Sequence, residues 1–204
     1  MENKNLYQEL VTLTKRKDLW KENIPSVGSL LENQSPKITA KALWLLGEMG
    51  LLYPEETVPY IAPIASFLDS SDDLLRERAL NALGRIGRAR FEAVKPYWER
   101  MFASATDNNP RVRLAVIWAS ENIATNTPEV FEPHISLFAD LLHDSNDKVR
   151  MEAPEMFRVL GKRCPQFVEP YLDKLKWLAE NDDNSVVRIH CEGAIRAYSK
   201  MKQA

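Results

Sequence analysis

Four prolines stand at equal spacing along the chain. Pro59, Pro96, Pro133 and Pro170 recur every thirty-seven residues, inside the segments VPYI, KPYW, EPHI and EPYL. A second row keeps the same phase: Pro54, Phe91, Pro128 and Pro165, followed by Glu55, Glu92, Glu129 and Gln166. A fixed period of this length means one supersecondary unit stacked on copies of itself, because a single unit cannot bury its own apolar face. Such a period dictates architecture and leaves the partner of the array unstated.

Each unit reads as two helices. Proline followed by glutamate opens the first, since proline lacks only an N–H that would be unsatisfied there, and glutamate favours the positive end of the helix dipole. The second proline, five residues on, removes a backbone bond and is expected to kink the axis. Apolar residues then recur at helical spacing, as in Ile61, Ile64, Phe67 and Leu68. A polar turn follows (DSSDD, TDNNP, HDSND, NDDNS), rich in helix-capping residues. The second helix begins with an aliphatic residue and arginine: Leu75-Arg76, Val112-Arg113, Val149-Arg150 and Val187-Arg188. Small and apolar residues return along one face, such as Ala79, Ala82, Leu83 and Ile86, or Ala153, Met156, Phe157 and Leu160.

The first-helix proline, the acidic turn and the aliphatic-arginine pair together resemble the HEAT repeat family. DNNPRVRLAVIWA and DSNDKVRMEAPEM are the segments nearest to its pattern. The resemblance spans about residues 20 to 200 and implies an all-α, right-handed α-solenoid of about five helix pairs. Residues 1–18, with Leu6, Leu10 and Leu13, are expected to form a capping helix. The repeats fall at about 19–52, 53–89, 90–126, 127–163 and 164–202 of one continuous domain. The first copy departs from the pattern, with a shorter turn and Thr39 where arginine is expected. Pro154 is found in the second helix of one copy only, where a late start or a bend is expected.

Asp107, Asp144 and Asp182 each precede the repeat arginine by six residues. In HEAT proteins such pairs form a ladder linking one turn to the next. The resemblance implies this structural role for Arg113, Arg150 and Arg188, and more weakly for Arg76, preceded by Ser70. A partly buried, bidentate pair suits arginine and not lysine.

The net charge of −2 signals neither nucleic acid nor membrane, and no apolar run approaches the length of a membrane span. The start, MENKNLYQEL, is not a secretory signal. Cys164 and Cys191 make no disulfide framework and read as reduced packing residues of a cytoplasmic protein. Charge is nonetheless uneven. Formal charges over the second helices sum to about +9 and the remainder to about −11; setting the ladder arginines aside leaves about +5. The resemblance places the second helices on the concave face, so a basic groove behind an acidic outer side is expected.

The core phase of the second helices leaves an open row containing Trp44, Asn81, Trp118 and Glu155. Lys41 and Glu48 flank the first tryptophan, Arg78, Arg85 and Arg88 lie between, and Glu121 and Asn122 flank the second. Open tryptophans anchor partners well; packing sideways between repeats is the competing explanation. Trp20, Trp98 and Trp177 lie on first helices and are expected in the core or at its rim. Trp177, Tyr198 and Met201 also suggest an end that another chain could cover.

Nothing in the sequence points to catalysis, a metal or a cofactor. His134, His143 and His190 form no HExxH pattern, and none precedes glutamate as in the iron-binding His-Glu pairs of the HEAT-like deoxyhypusine hydroxylases. There is no CxxC pair and no glycine-rich phosphate loop. The expected function is therefore a non-catalytic scaffold whose groove binds a protein or peptide, with Trp44 and Trp118 as anchors and Arg78, Arg85 and Arg88 favouring acidic partners. The alternative is DNA binding: Trp44, Trp118, Glu121 and Arg85 echo in composition the HEAT-like DNA alkylation-repair glycosylases, without matching their motif residue by residue.

Overall fold

The computed structural model describes residues 2–203; among them helices alternate with short turns and there is no strand. The chain divides into two compact units, Met1–Ser104 and Ala105–Ala204, with the boundary inside the third repeat, after its first helix. The first unit holds the capping helix α1 (Glu2–Lys15), the pair α2 (Trp20–Ser29) and α3 (Pro36–Leu52), and the pair α4 (Pro54–Ser66) and α5 (Asp73–Ala89). It ends in a first helix split into α6 (Phe91–Val94) and α7 (Trp98–Ala103). The second unit holds α8 (Pro110–Ala124), then α9 (Ile135–Leu141) paired with α10 (Asp147–Gly161). Last come α11 (Pro165–Val168) and α12 (Leu172–Asn181), which together pair with α13 (Ser185–Lys202).

The periodic prolines act as their chemistry requires. Pro54 and Pro165 take the first helical position of α4 and α11. Pro96, Pro133 and Pro170 fall in tightened 3₁₀ segments that interrupt the first helix of their repeats, because each lacks the N–H an α-turn would use. Pro59 is accommodated inside the unbroken α4. Pro154 neither delays nor ends α10, which runs from Asp147 through that proline to Gly161.

The turns are built on side-chain caps. Asp72, Asn109, Asn146 and Asn184 each accept a hydrogen bond from the N–H two residues on, at the start of α5, α8, α10 and α13. The repeat arginines reach back to the carbonyl six residues earlier: Arg76 to Ser70 at 2.8 Å, Arg113 to Asp107 at 2.7 Å, Arg150 to Asp144 at 2.9 Å and Arg188 to Asp182 at 2.5 Å. The acceptor is backbone, so Ser70 serves as well as aspartate. In the first repeat the Thr39 hydroxyl makes the same bond to the Asn33 carbonyl, at 3.0 Å. The aspartate side chains meanwhile hold their own turns, Asp144 and Asp182 each accepting an N–H at 2.8 Å.

The carboxylates also join one repeat to the next. Arg113 donates through Nε and Nη2 to both oxygens of Asp144, at 2.6 and 2.7 Å. Arg150 places Nε 3.7 Å from Asp182 while also bonding Asp147. Burial opposes the charge of Asp144, yet the bonds from Arg113 and from the Asn146 N–H hold its pKa below the ordinary value.

The core of each unit lies along its second helices. Leu43, Leu46 and Met49 of α3 and Ala79, Leu83 and Ile86 of α5 are fully buried, as are Val149, Ala153, Phe157 and Leu160 of α10. Burial of each such large side chain contributes roughly 1.5–3 kcal/mol before entropy is counted. In the first unit α3 and α5 approach so closely that a Cβ on Gly47 would lie 2.7 Å from the Ala82 Cα, so only glycine fits there. Trp20 is buried, its indole N–H donating to the Leu13 carbonyl at 2.8 Å and tying α2 to the cap. Trp98 is buried edge-on between Phe91 and Phe102. Trp177 stays 58% exposed.

Candidate functional site

In the first unit the open face of α3 carries Lys37, Lys41 and Trp44 one turn apart. Trp44 is half-buried, and the Lys41 ammonium lies over its ring, 4.1 Å from the centroid. One turn earlier the Lys37 ammonium lies 4.2 Å over the ring of Tyr7, from α1. Each such stack is worth about 0.5–1 kcal/mol near a surface. Leu74 and Arg78 of α5 close the far side, and these residues with Ala40 line a pocket of about 260 Å³. Burial and the neighbouring Arg78 charge push the Lys41 pKa down, against the pull of Glu48.

The remaining positions singled out in α5 behave differently from Arg78. Asn81 is buried. Arg85 donates through Nε to Glu48 of α3 at 2.5 Å and through Nη1 to the Asn81 carbonyl at 3.3 Å. Its charge is thus met within the unit, and its role there is to tie α5 to α3. Arg88 is half-buried and also interacts within the chain. A wider cleft of about 730 Å³ lies between α1 and α2, with Leu6, Leu13, Leu19 and Leu30 among its walls.

In the second unit Trp118 stands at the surface of α8, 37% exposed. Asn122, one turn on, bonds back to the Trp118 carbonyl at 2.9 Å. Glu121 of α8 is half-buried, and its enclosed Oε1 has no hydrogen-bond partner among the described residues. Burial pushes its pKa up to about 8; repulsion from Glu152 and Glu155 of α10 adds to the rise, and Arg158 opposes it. Glu155 is itself engaged by Arg158 and lies 3.6 Å from His190. The second helices therefore differ locally: Lys37, Lys41 and Arg78 of α3 and α5 gather beside aromatic rings, whereas Glu121 of α8 lies near Glu152 and Glu155 of α10. Charge totals over the sequence gave no sign of this segregation, nor of the parts played by Tyr7 and Lys37. The spacing Lys37, Lys41, Trp44 on one helical face was the available signal for the pocket.

Comparison with known proteins bears on this arrangement. A family model described as sister chromatid cohesion protein PDS5 matches residues 14–186. No curated protein sequence matches the chain. Among solved structures, a designed armadillo repeat protein in complex with the peptide (KR)4 aligns at TM-score 0.71 and 18% identity, covering 94% of this chain and 91% of that one. An engineered protein aligns at TM-score 0.72 and 18% identity, covering 95% and 90%. Computationally designed armadillo repeat proteins for modular peptide recognition align at TM-score 0.64 and 16% identity, covering 95% and 98%. These likenesses establish the all-α repeat-solenoid fold class.

Proposed function

The chain belongs to the family of the sister chromatid cohesion protein PDS5, and we propose that it is a non-catalytic scaffold that binds a protein or peptide through the open faces of its second helices. The observation that carries this reading is the placement of Trp44 and Trp118. Both lie at the phase of the second helix that the core leaves open, and each is framed by charged side chains. Large aromatic surfaces held by a rigid helix anchor partners at low entropic cost. Solved repeat structures of the same fold, one described as a complex with the peptide (KR)4 and one as designed for modular peptide recognition, support the reading. Repeat scaffolds do their work by contact.

The free thiols suit a cytoplasmic protein, with burial pushing Cys191 up to about 12. Among the described residues no helix is long and apolar enough to cross a membrane. The family's name makes chromosome-associated proteins the first partners to test. Affinity capture from native extract tests the proposal. The wild-type chain is expected to retain a specific protein that survives nuclease treatment. Retention of DNA alone, weakening steeply with salt, would replace this reading with the DNA-binding one. That second reading draws little from Arg85, already held by Glu48, or from Glu121, whose charge burial suppresses.

A further inference from the structure

We infer that the pocket formed by Tyr7, Lys37, Lys41, Trp44 and Arg78 is a receptor for the carboxylate of an acidic segment on a partner protein. The inference rests on the scaffold reading above and specifies the chemistry of one contact.

The pocket has an unusual charge balance. Three cations from two helices face one space of about 260 Å³. Among the described residues, neither lysine ammonium meets a carboxylate at ion-pair distance; each rests on a ring face instead. Among the described residues Arg78 meets only the carboxylate of Glu77, its chain neighbour, at 3.6 Å. The carboxylate that could have filled the role, Glu48, is turned to Arg85 one turn further along. Positive charge is thus left where two helices and the cap converge.

Ring stacking holds the ammonium groups in place without using their hydrogen bonds in an ion pair. An arriving carboxylate would exchange water for charge-assisted bonds without displacing another carboxylate from either lysine. The rings of Tyr7 and Trp44 would cover the methylenes of an aspartate or glutamate side chain, which favours a carboxylate on an apolar stem over a bare anion. A net charge of −2 adds no general attraction for a nucleic acid. The lowered pKa of Lys41 points the same way, since an anion would offset the burial and the Arg78 repulsion that cause it.

The test uses the full chain and a fluorescein-labelled peptide carrying alternating Asp and Glu. Its Asn/Gln counterpart and a duplex DNA of equal charge serve as competitors. Anisotropy at low salt is expected to show binding of the acidic peptide only. The Lys37→Gln/Lys41→Gln double variant should lose roughly tenfold or more in affinity. A control that removes exposed cations elsewhere, Arg111→Gln/Lys148→Gln, should bind as the wild type does, with all melting temperatures alike. Equal weakening by both double variants, tighter binding of the DNA, or absence of peptide binding would each overturn the inference. If a specific protein is still captured from extract in those cases, the scaffold reading survives its loss; if capture fails as well, both fall.

Discussion

Replacing Glu121 with glutamine is expected to stabilise the protein increasingly as pH rises from about 5 to 9, while changing little at the acid end. The folded chain holds this carboxyl at about 8, against an ordinary value of 4.5. A raised folded-state pKa means that the native form favours the protonated acid. Its stability contribution is complete below about 4.5 and is lost progressively as pH passes through 8. Ionisation at Glu121 therefore costs at most roughly 5 kcal/mol once both states are charged. Most of that cost comes from burial, and the rest from Glu152 and Glu155. Glutamine cannot ionise and is free of this slope. Melting curves of the two proteins across this range give the answer by difference, which cancels the titration of every other group. Parallel curves would show that Glu121 is solvated and charged throughout.

Loss of the Asp144 carboxylate is expected to be the most damaging single truncation among the repeat turns. Its side chain is only 7% exposed, and that of its partner Arg113 is 14% exposed. It accepts two bonds from Arg113 and one from the Asn146 N–H. Asp144→Ala would leave a guanidinium without its counter-charge and an N–H without its acceptor, at a cost of roughly 3 kcal/mol or more. Asp182→Ala should cost less, about 1–2 kcal/mol, because it loses the same turn bond from the Asn184 N–H while Arg150 stands 3.7 Å away and retains Asp147. Urea unfolding of both variants at neutral pH measures the two values. Because the pKa of Asp144 is lowered on folding, the difference from wild type should shrink in acid, where the carboxylate is neutral in both states. Equal costs for the two variants would mean that the carboxylates act as turn caps only.

The fold was legible because its determinants are local. Proline at a first helical position, Asp and Asn before the second helices, and the burial phase of residues such as Ala79, Leu83 and Ile86 all act within a turn or two of chain. The arginine ladder was legible as a spacing and as a link between turns, but not in how it divides between backbone and carboxylate acceptors. The six-residue interval marks a side-chain bond to backbone, which Ser70 and Asn33 satisfy equally, and the carboxylates reach across repeats. The candidate site was the least legible part, because its character depends on which charges meet across helices. Arg85 is neutralised by a residue thirty-seven positions earlier, Tyr7 enters from the cap, and Glu121 loses its charge to burial. Only the interval from Glu48 to Arg85 matches the repeat period, and the charges of that row are not continued at Asn122 and Val159.

Labour is divided between residues that hold the repeats together and tryptophans that meet a partner. The Trp44→Ala/Trp118→Ala variant tests this division in a single preparation, melted in one aliquot and used for affinity capture in another. The account predicts a cooperative melt within a few degrees of wild type and loss of the captured protein. A variant that unfolds, or one that stays folded and captures the same protein as before, would contradict it.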